Sequence, residues 1–245
     1  MPAPPHDESR SPPVDEALVH RVHDRYLVEV VEALGLCPFA RRSRELGRVH
    51  RPVFTITGDE PAAERAARRL ASVVERAPDA EIVLLTFVER VPERFAESAV
   101  FDGFVAAVRE AYARLRAPVF FMVGFHPRLG HDSDGTRPIT RDSLVPIIRR
   151  SPDPVIQCVA AEVLERARAQ AQALAHERLV QSVANDPVLR ALVERSVQPD
   201  PQLSAEIASN NFAAVGRGEG LAELIRRLDD IARARDEAYG SREIC

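Results

Sequence analysis

The sequence predicts an α/β protein: a small mixed or partly parallel sheet with flanking helices and a helical C-terminal third. Short apolar runs of strand length, Glu81 to Val88 and Pro118 to Phe125, alternate with segments of helical period. Beyond the polar stretch from Gly130 to Thr140 the pattern turns to Ala, Glu and Arg and reads as helix throughout.

The elements follow in order. Met1 to Pro13 holds five prolines and little apolar content, which predicts a disordered tail before one domain over 14–245. Leu18, Val22, Tyr26, Val30 and Leu34 recur at helical spacing within Val14 to Leu34, and Gly35 supplies the stop. Arg51 to Thr57 alternates around Val53, Phe54 and Ile56 and reads as a strand. Glu60 to Arg76 reads as a helix, Glu81 to Val88 as a buried strand, Ala99 to Leu115 as a helix and Pro118 to Phe125 as a second buried strand. Gly130 to Thr140 is rich in Gly, Asp, Ser, Pro and His and should be a loop. Helices are then expected over Asp153 to Ala175, Glu177 to Val197 with a break near Asn185-Asp186-Pro187, Gln202 to Phe212, and Gly220 to Tyr239.

Composition narrows the chemistry. The chain has no lysine, so internal aldimines with pyridoxal phosphate, class I aldolase chemistry and Walker-A nucleotide binding are excluded. Net charge is -4, which gives no reason to expect nucleic acid or an anionic membrane as partner. No apolar run is long enough to span a bilayer, and the N-terminus lacks signal-peptide order. Cys37, Cys158 and Cys245 are scattered and odd in number, which suits a reducing cytoplasm.

Four stretches carry residues capable of chemistry. In Gly35-Leu36-Cys37-Pro38-Phe39-Ala40-Arg41-Arg42, Pro38 suits the first position of a new helix, with Cys37 at its cap. The helix dipole, Arg41 and Arg42 would then favour a reactive thiolate; a small buried corner residue is the plainer reading. His126 closes an apolar strand before Pro127, a position for a general base or metal ligand, or for a turn-stabilising ring. His131, Asp132, Ser133 and Asp134 offer, with His126, enough donors for a divalent metal, with His126, His131 and Asp134 as candidate ligands. Their spacing matches no zinc or calcium signature, and solvation explains them as well. In Arg149-Arg150-Ser151-Pro152-Asp153-Pro154, Ser151 or Asp153 can cap a following helix, and Arg150 with Ser151 can hold a substrate anion. Glu89 and Arg90 can border the His126 crevice, whereas His20, His23 and Asp24 read as solvated.

GLCPFA, FDGFVAAV, FHP and RSPDP, in that order, resemble the bacterial family called domain of unknown function 1415, from about His20 to Arg168. The resemblance implies a cytoplasmic bacterial protein with an α/β core and no assigned activity. Cys37, Pro38, Phe39, His126, Pro127, Arg150, Ser151, Pro152 and Pro154 fall on matching positions. Where many members carry an Asn and a His near RSP, this chain has Arg149 and Gln157.

The favoured expectation is an enzyme acting on a small anionic substrate. Cys37 and His126 would be its catalytic pair, and Arg150, Ser151 and Arg41 would hold the substrate, all converging on one hollow. The alternative is a non-catalytic binding or regulatory module that works through its C-terminal helices, or through self-association. The residues leave cofactor identity open.

Overall fold

The structure, a computed structural model, describes residues 14–37, 39–89, 94–130, 139–182 and 203–240. The N-terminal tail, His131 to Pro138, the expected break at Asn185-Asp186-Pro187, and Cys245 lie outside the described residues.

Helix α1 (Glu16–Arg25) starts where the Asp15 carboxylate accepts the Ala17 N–H at 3.0 Å. The expected single helix to Leu34 instead changes form. Tyr26–Glu32 is π-helical, closing with Ala33 N–H on the Val28 carbonyl and Leu36 N–H on the Val31 carbonyl. Gly35, at φ +64°, ends it in the left-handed conformation that a Cβ would penalise. A short helix α2 (Ala40–Glu45) follows.

The first strand, expected over Arg51 to Thr57, comes earlier and in two pieces, β1 (Val49–His50) and β2 (Val53–Thr55), separated by Arg51 and Pro52. Pro52 has no N–H to donate to a ladder, which accounts for the break. Both pieces pair parallel with β3 (Ile82–Val88). Helix α3 (Ala63–Arg76) connects them, and α4 (Ser98–Ala113) leads from β3 to β4 (Phe120–Phe125).

The largest correction lies beyond β4. A helix not foreseen, α5 (Arg141–Ile148), begins at a Thr140–Ser143 capping box. The helix expected from Asp153 is instead a strand, β5 (Val155–Ala160), lying antiparallel between β3 and β4. Val155, Ile156, Cys158 and Val159 face into two layers, and a β-branched apolar run buried on both faces belongs in a central strand. Helix α6 (Ala161–Ser182) continues directly from it, followed by α7 (Leu203–Val215) and α8 (Gly218–Gly240). The sheet is therefore mixed, in the order β1/β2, β3, β5, β4. No helix among the described residues is long and apolar enough to cross a membrane.

The two faces of the sheet differ. On one, Val83, Leu85, Phe87, Ile156, Cys158, Phe120 and Met122 pack under α3 and α4. Phe87 stacks on Phe54 and meets Phe104 edge-on, at 5.1 and 5.2 Å between ring centres. Each fully buried Leu, Ile or Phe here contributes roughly 1.5–3 kcal/mol. The other face looks toward α1, α5, α7 and α8, whose Val19, Val22, Leu144, Leu224, Leu228 and Ile231 form a second core. Strand β4 is an edge, and its Met122 and Gly124 carbonyls are occupied by the Arg109 and Arg149 guanidiniums, which blunts it against pairing.

Candidate functional site

Between the second face of the sheet and the N-terminal helical segment lies a cavity of about 130 Å³. Ile82 and Leu84 of β3, Val155 and Gln157 of β5, and Phe125 of β4 form its floor. His23, Tyr26, Leu27 and Val31 form the facing wall, and Leu36, Cys37 and Ala40 close one side. Arg149 and Ser151, on either side of Arg150, complete it.

The walls are mostly apolar, so the few polar groups stand out. Arg149 caps α5 and lies over the Phe125 ring at 5.8 Å. Its Nε donates to the Gly124 carbonyl at 2.9 Å, and Nη2 donates to the same oxygen. Burial pushes its pKa down, opposed by the more distant charge of Asp102. Among the described residues no carboxylate forms an ion pair with it. The Gln157 side-chain amide, half-buried, makes no hydrogen bond among the described residues. Tyr26 donates to the Ile148 carbonyl at 3.1 Å; burial raises its pKa, with Arg149 and Cys37 near enough to be felt.

Cys37 is a free thiol on this cavity. Burial raises its pKa, only partly offset by the backbone N–H groups of Phe39 and Ala40. The expected depression is thus reversed: α2 is capped by Phe39 and spans six residues, and the expected guanidiniums stay out in solvent. Arg42 is exposed, and Arg41, also exposed, approaches Glu32 at 3.6 Å.

The expected convergence of Cys37, His126 and Arg150 is not found. His126 lines a separate cavity of about 170 Å³, together with Glu89, Phe95, Arg128, Pro154, Arg235 and Asp236. Its ring is fully used: Nε2 donates to the Phe95 carbonyl at 2.8 Å and Nδ1 accepts the Arg128 N–H at 3.1 Å. Burial lowers its pKa, so it stays neutral. Glu89, expected beside it, is there, buried and accepting the N–H groups of Arg94 and Phe95. Arg150 lines neither cavity. It donates to the Leu129 and Gly130 carbonyls at 3.1 and 3.3 Å and meets Asp229 at 3.2 Å. Since β5 replaces the expected helix, no helix N-terminus exists there to bind an anion, and Ser151 Oγ donates to the Asp153 carbonyl. Arg90, His131 and Asp134 lie outside the described residues. Among the described residues no three His, Cys, Asp or Glu side chains are grouped to hold a metal.

Asp153 proves to be a hub rather than a cap. Fully buried, it accepts from His23 Nε2 at 3.0 Å, Arg235 Nε and Nη2 at 3.0 and 2.8 Å, and Tyr239 Oη at 2.8 Å. Burial would raise its pKa, but the bond from His23 and the Arg235 charge hold it below the usual aspartate range. His23, expected in solvent, is buried and also lines the main cavity. The signal was present: His23 lies four residues after Val19 and three before Tyr26, on the apolar stripe. The resemblance singled out Arg150, within RSPDP, and marked Arg149 and Gln157 as departures, yet it is these two that line the cavity.

Fold and site define a mixed α/β protein with a largely apolar cavity under its N-terminal helix, whose polar lining includes the Cys37 thiol, the Gln157 amide, the His23 imidazole and the guanidiniums of Arg51 and Arg149. The chain belongs to the family of proteins of unknown function called DUF1415, which matches residues 19–196. No curated protein and no solved structure matches it.

Proposed function

We propose that the protein binds a small molecule with an apolar body and an anionic head in the cavity under the N-terminal helix, with Cys37 as the group available for chemistry on it. The observation that carries this reading is the pairing of Arg149 and Gln157 in apolar walls. One is a half-buried cation that forms no ion pair among the described residues; the other is an amide without a hydrogen bond among them. A partly buried cation with no ion-paired carboxylate, and an amide with no hydrogen-bond partner among the described residues, both cost free energy that a bound carboxylate would recover. Volume sets the ligand's size: a cavity of about 150 Å³ holds one benzene molecule, so about 130 Å³ suits a short-chain carboxylate whose body is smaller than a ring. The unexposed C-terminal apolar residues favour this reading over partner binding through α8, because Leu224, Leu228, Ile231 and Tyr239 are already buried within the chain. Free thiols at Cys37 and Cys158 fit the cytoplasmic location expected for it.

Calorimetric titration with a series of short-chain carboxylates, and their neutral amides, tests the reading. Carboxylates should bind about 10–100-fold more tightly than the amides, the span of one charge-assisted hydrogen bond. Arg149→Met should erase that preference while leaving the fold intact. Absence of binding across the series, or an unchanged preference in R149M, overturns it.

A further inference from the structure

The cavity's two long walls are held in different ways. The floor is sheet, with β5 hydrogen-bonded on both sides to β3 and β4. The wall of α1 and its π-helical extension is fixed to that floor by side chains. His23 reaches Asp153, Tyr26 reaches the Ile148 carbonyl, His20 meets the Arg51 carbonyl, and Arg51 pairs with Asp24.

Helix α8 contributes no residue to the cavity, yet it touches this wall at two decisive points. The first is Asp153. The carboxylate that holds His23 is held in turn by Arg235 and Tyr239 of α8, and Arg235 also donates to the Glu89 carbonyl at 2.8 Å. The second is the change of helical form. Ala33 N–H bonds the Val28 carbonyl and Leu34 N–H bonds the Val30 carbonyl, so the register passes over Glu29. The Glu29 carbonyl takes the Arg227 guanidinium instead. A carbonyl that drops out of the helical ladder takes another donor, from protein or water, and here Arg227 supplies it. Between these points Leu224, Leu228 and Ile231 pack against Val19, Val22 and Tyr26 in one apolar core.

We infer that α8 is a clasp on the ligand site: docked, it holds the π-helical wall over the cavity, and its release opens the cavity to ligand. This rests on the reading of the cavity as the binding site and adds how access to it is governed. The wall and the sheet share no backbone ladder, so loss of the two α8 contacts leaves the wall held only by its packing and its side-chain ties to Ile148 and Arg51, and loosens it without breaking the sheet. Arg227 and Arg235 are thereby positioning residues, acting on ligand through His23, Tyr26 and the helical backbone.

Cys37 lines the cavity and is half-buried with the wall docked, so a gain in its rate over that base reports the opening, while Cys158 is fully buried in the opposite core and reports global unfolding. The test is alkylation of the full chain with N-ethylmaleimide, read cysteine by cysteine by peptide mass spectrometry, in wild type, Arg227→Met and Tyr239→Phe. Each variant should speed Cys37 modification about tenfold, the factor expected when one hydrogen bond holding the wall is lost, with Cys158 still protected. Tyr239→Phe removes one hydroxyl and keeps the packing, so it serves if R227M folds poorly. An unchanged Cys37 rate in both variants overturns the inference, as does a parallel rise at Cys158. The probe requires no ligand. Failure of every carboxylate to bind would therefore reject the proposed ligand while leaving the clasp tested on its own.

Discussion

Replacing Asp153 with Asn should be among the most damaging isosteric changes in the molecule. The carboxylate is fully buried and takes four side-chain hydrogen bonds, two of them from Arg235, whose side chain is only 12% exposed. An Asn keeps the shape but removes the charge, and its NH₂ meets either Arg235, which can only donate, or His23 and Tyr239, which must then turn from donating to accepting. Arg235, largely buried, is then left with only the exposed Asp236 as an anion among the described residues, at 2.9 Å. Breaking one side of a buried pair costs about 3–5 kcal/mol. At about 2–4 °C per kcal/mol for a chain of this size, the melting midpoint should fall by roughly 6–20 °C. The pH dependence has a definite sign. A carboxylate whose native pKa is lowered stabilises fully above its unfolded value, near about 3.9, and loses that contribution as pH falls through the native value. The deficit of Asp153→Asn should therefore be constant from pH 7 to about pH 5 and shrink only below about pH 4. Urea denaturation followed by circular dichroism across that range measures both. A deficit under about 1 kcal/mol at pH 7 would refute the view that this network fastens α1 and α8 to the sheet.

Two further outcomes are expected from the same geometry. The Cys37 thiol, raised by burial, should react slowly with iodoacetamide at neutral pH, with a rate midpoint above the ordinary thiol value of about 8.5; a midpoint below pH 8 would contradict its placement. His126→Ala removes an acceptor and a donor from two buried backbone groups and should cost about 2–4 kcal/mol in urea unfolding. Because burial lowers the His126 pKa, its contribution is complete above about pH 6.5 and declines as pH falls, a decline that the variant should lack.

How far the sequence could be read depended on how local each signal was. The helix α4 and the C-terminal helix announce themselves by period, because packing on one face imposes it, and β3 by a continuous apolar run, because it is buried on both faces. Strand β5 was hidden: Val155 to Val159 is short, and the Ala- and Glu-rich run of α6 continues from it without a turn, so helical composition masked a sheet's centre. That error carried the site with it. Reading Asp153 and Ser151 as a cap made Arg150 the anion holder, whereas an extended chain there turns Arg149 to the cavity and Arg150 to the Leu129 and Gly130 carbonyls. Cys37 was legible as a corner residue with a thiol, but its raised pKa was not, since desolvation is set by distant elements. The change to π-helix at Tyr26 has no local sequence signal; the donor that meets its Glu29 carbonyl is Arg227, almost two hundred residues along the chain.

A crystal structure of the protein soaked with butyrate examines the ligand site most directly. The propyl chain should lie between Leu27, Val31, Ile82 and Leu84, with its carboxylate on the Arg149 guanidinium and within reach of the Gln157 amide. Butyrate absent from this cavity at saturating concentration, or seated with its carboxylate away from Arg149, would contradict the assignment of the cavity as an anion-binding site.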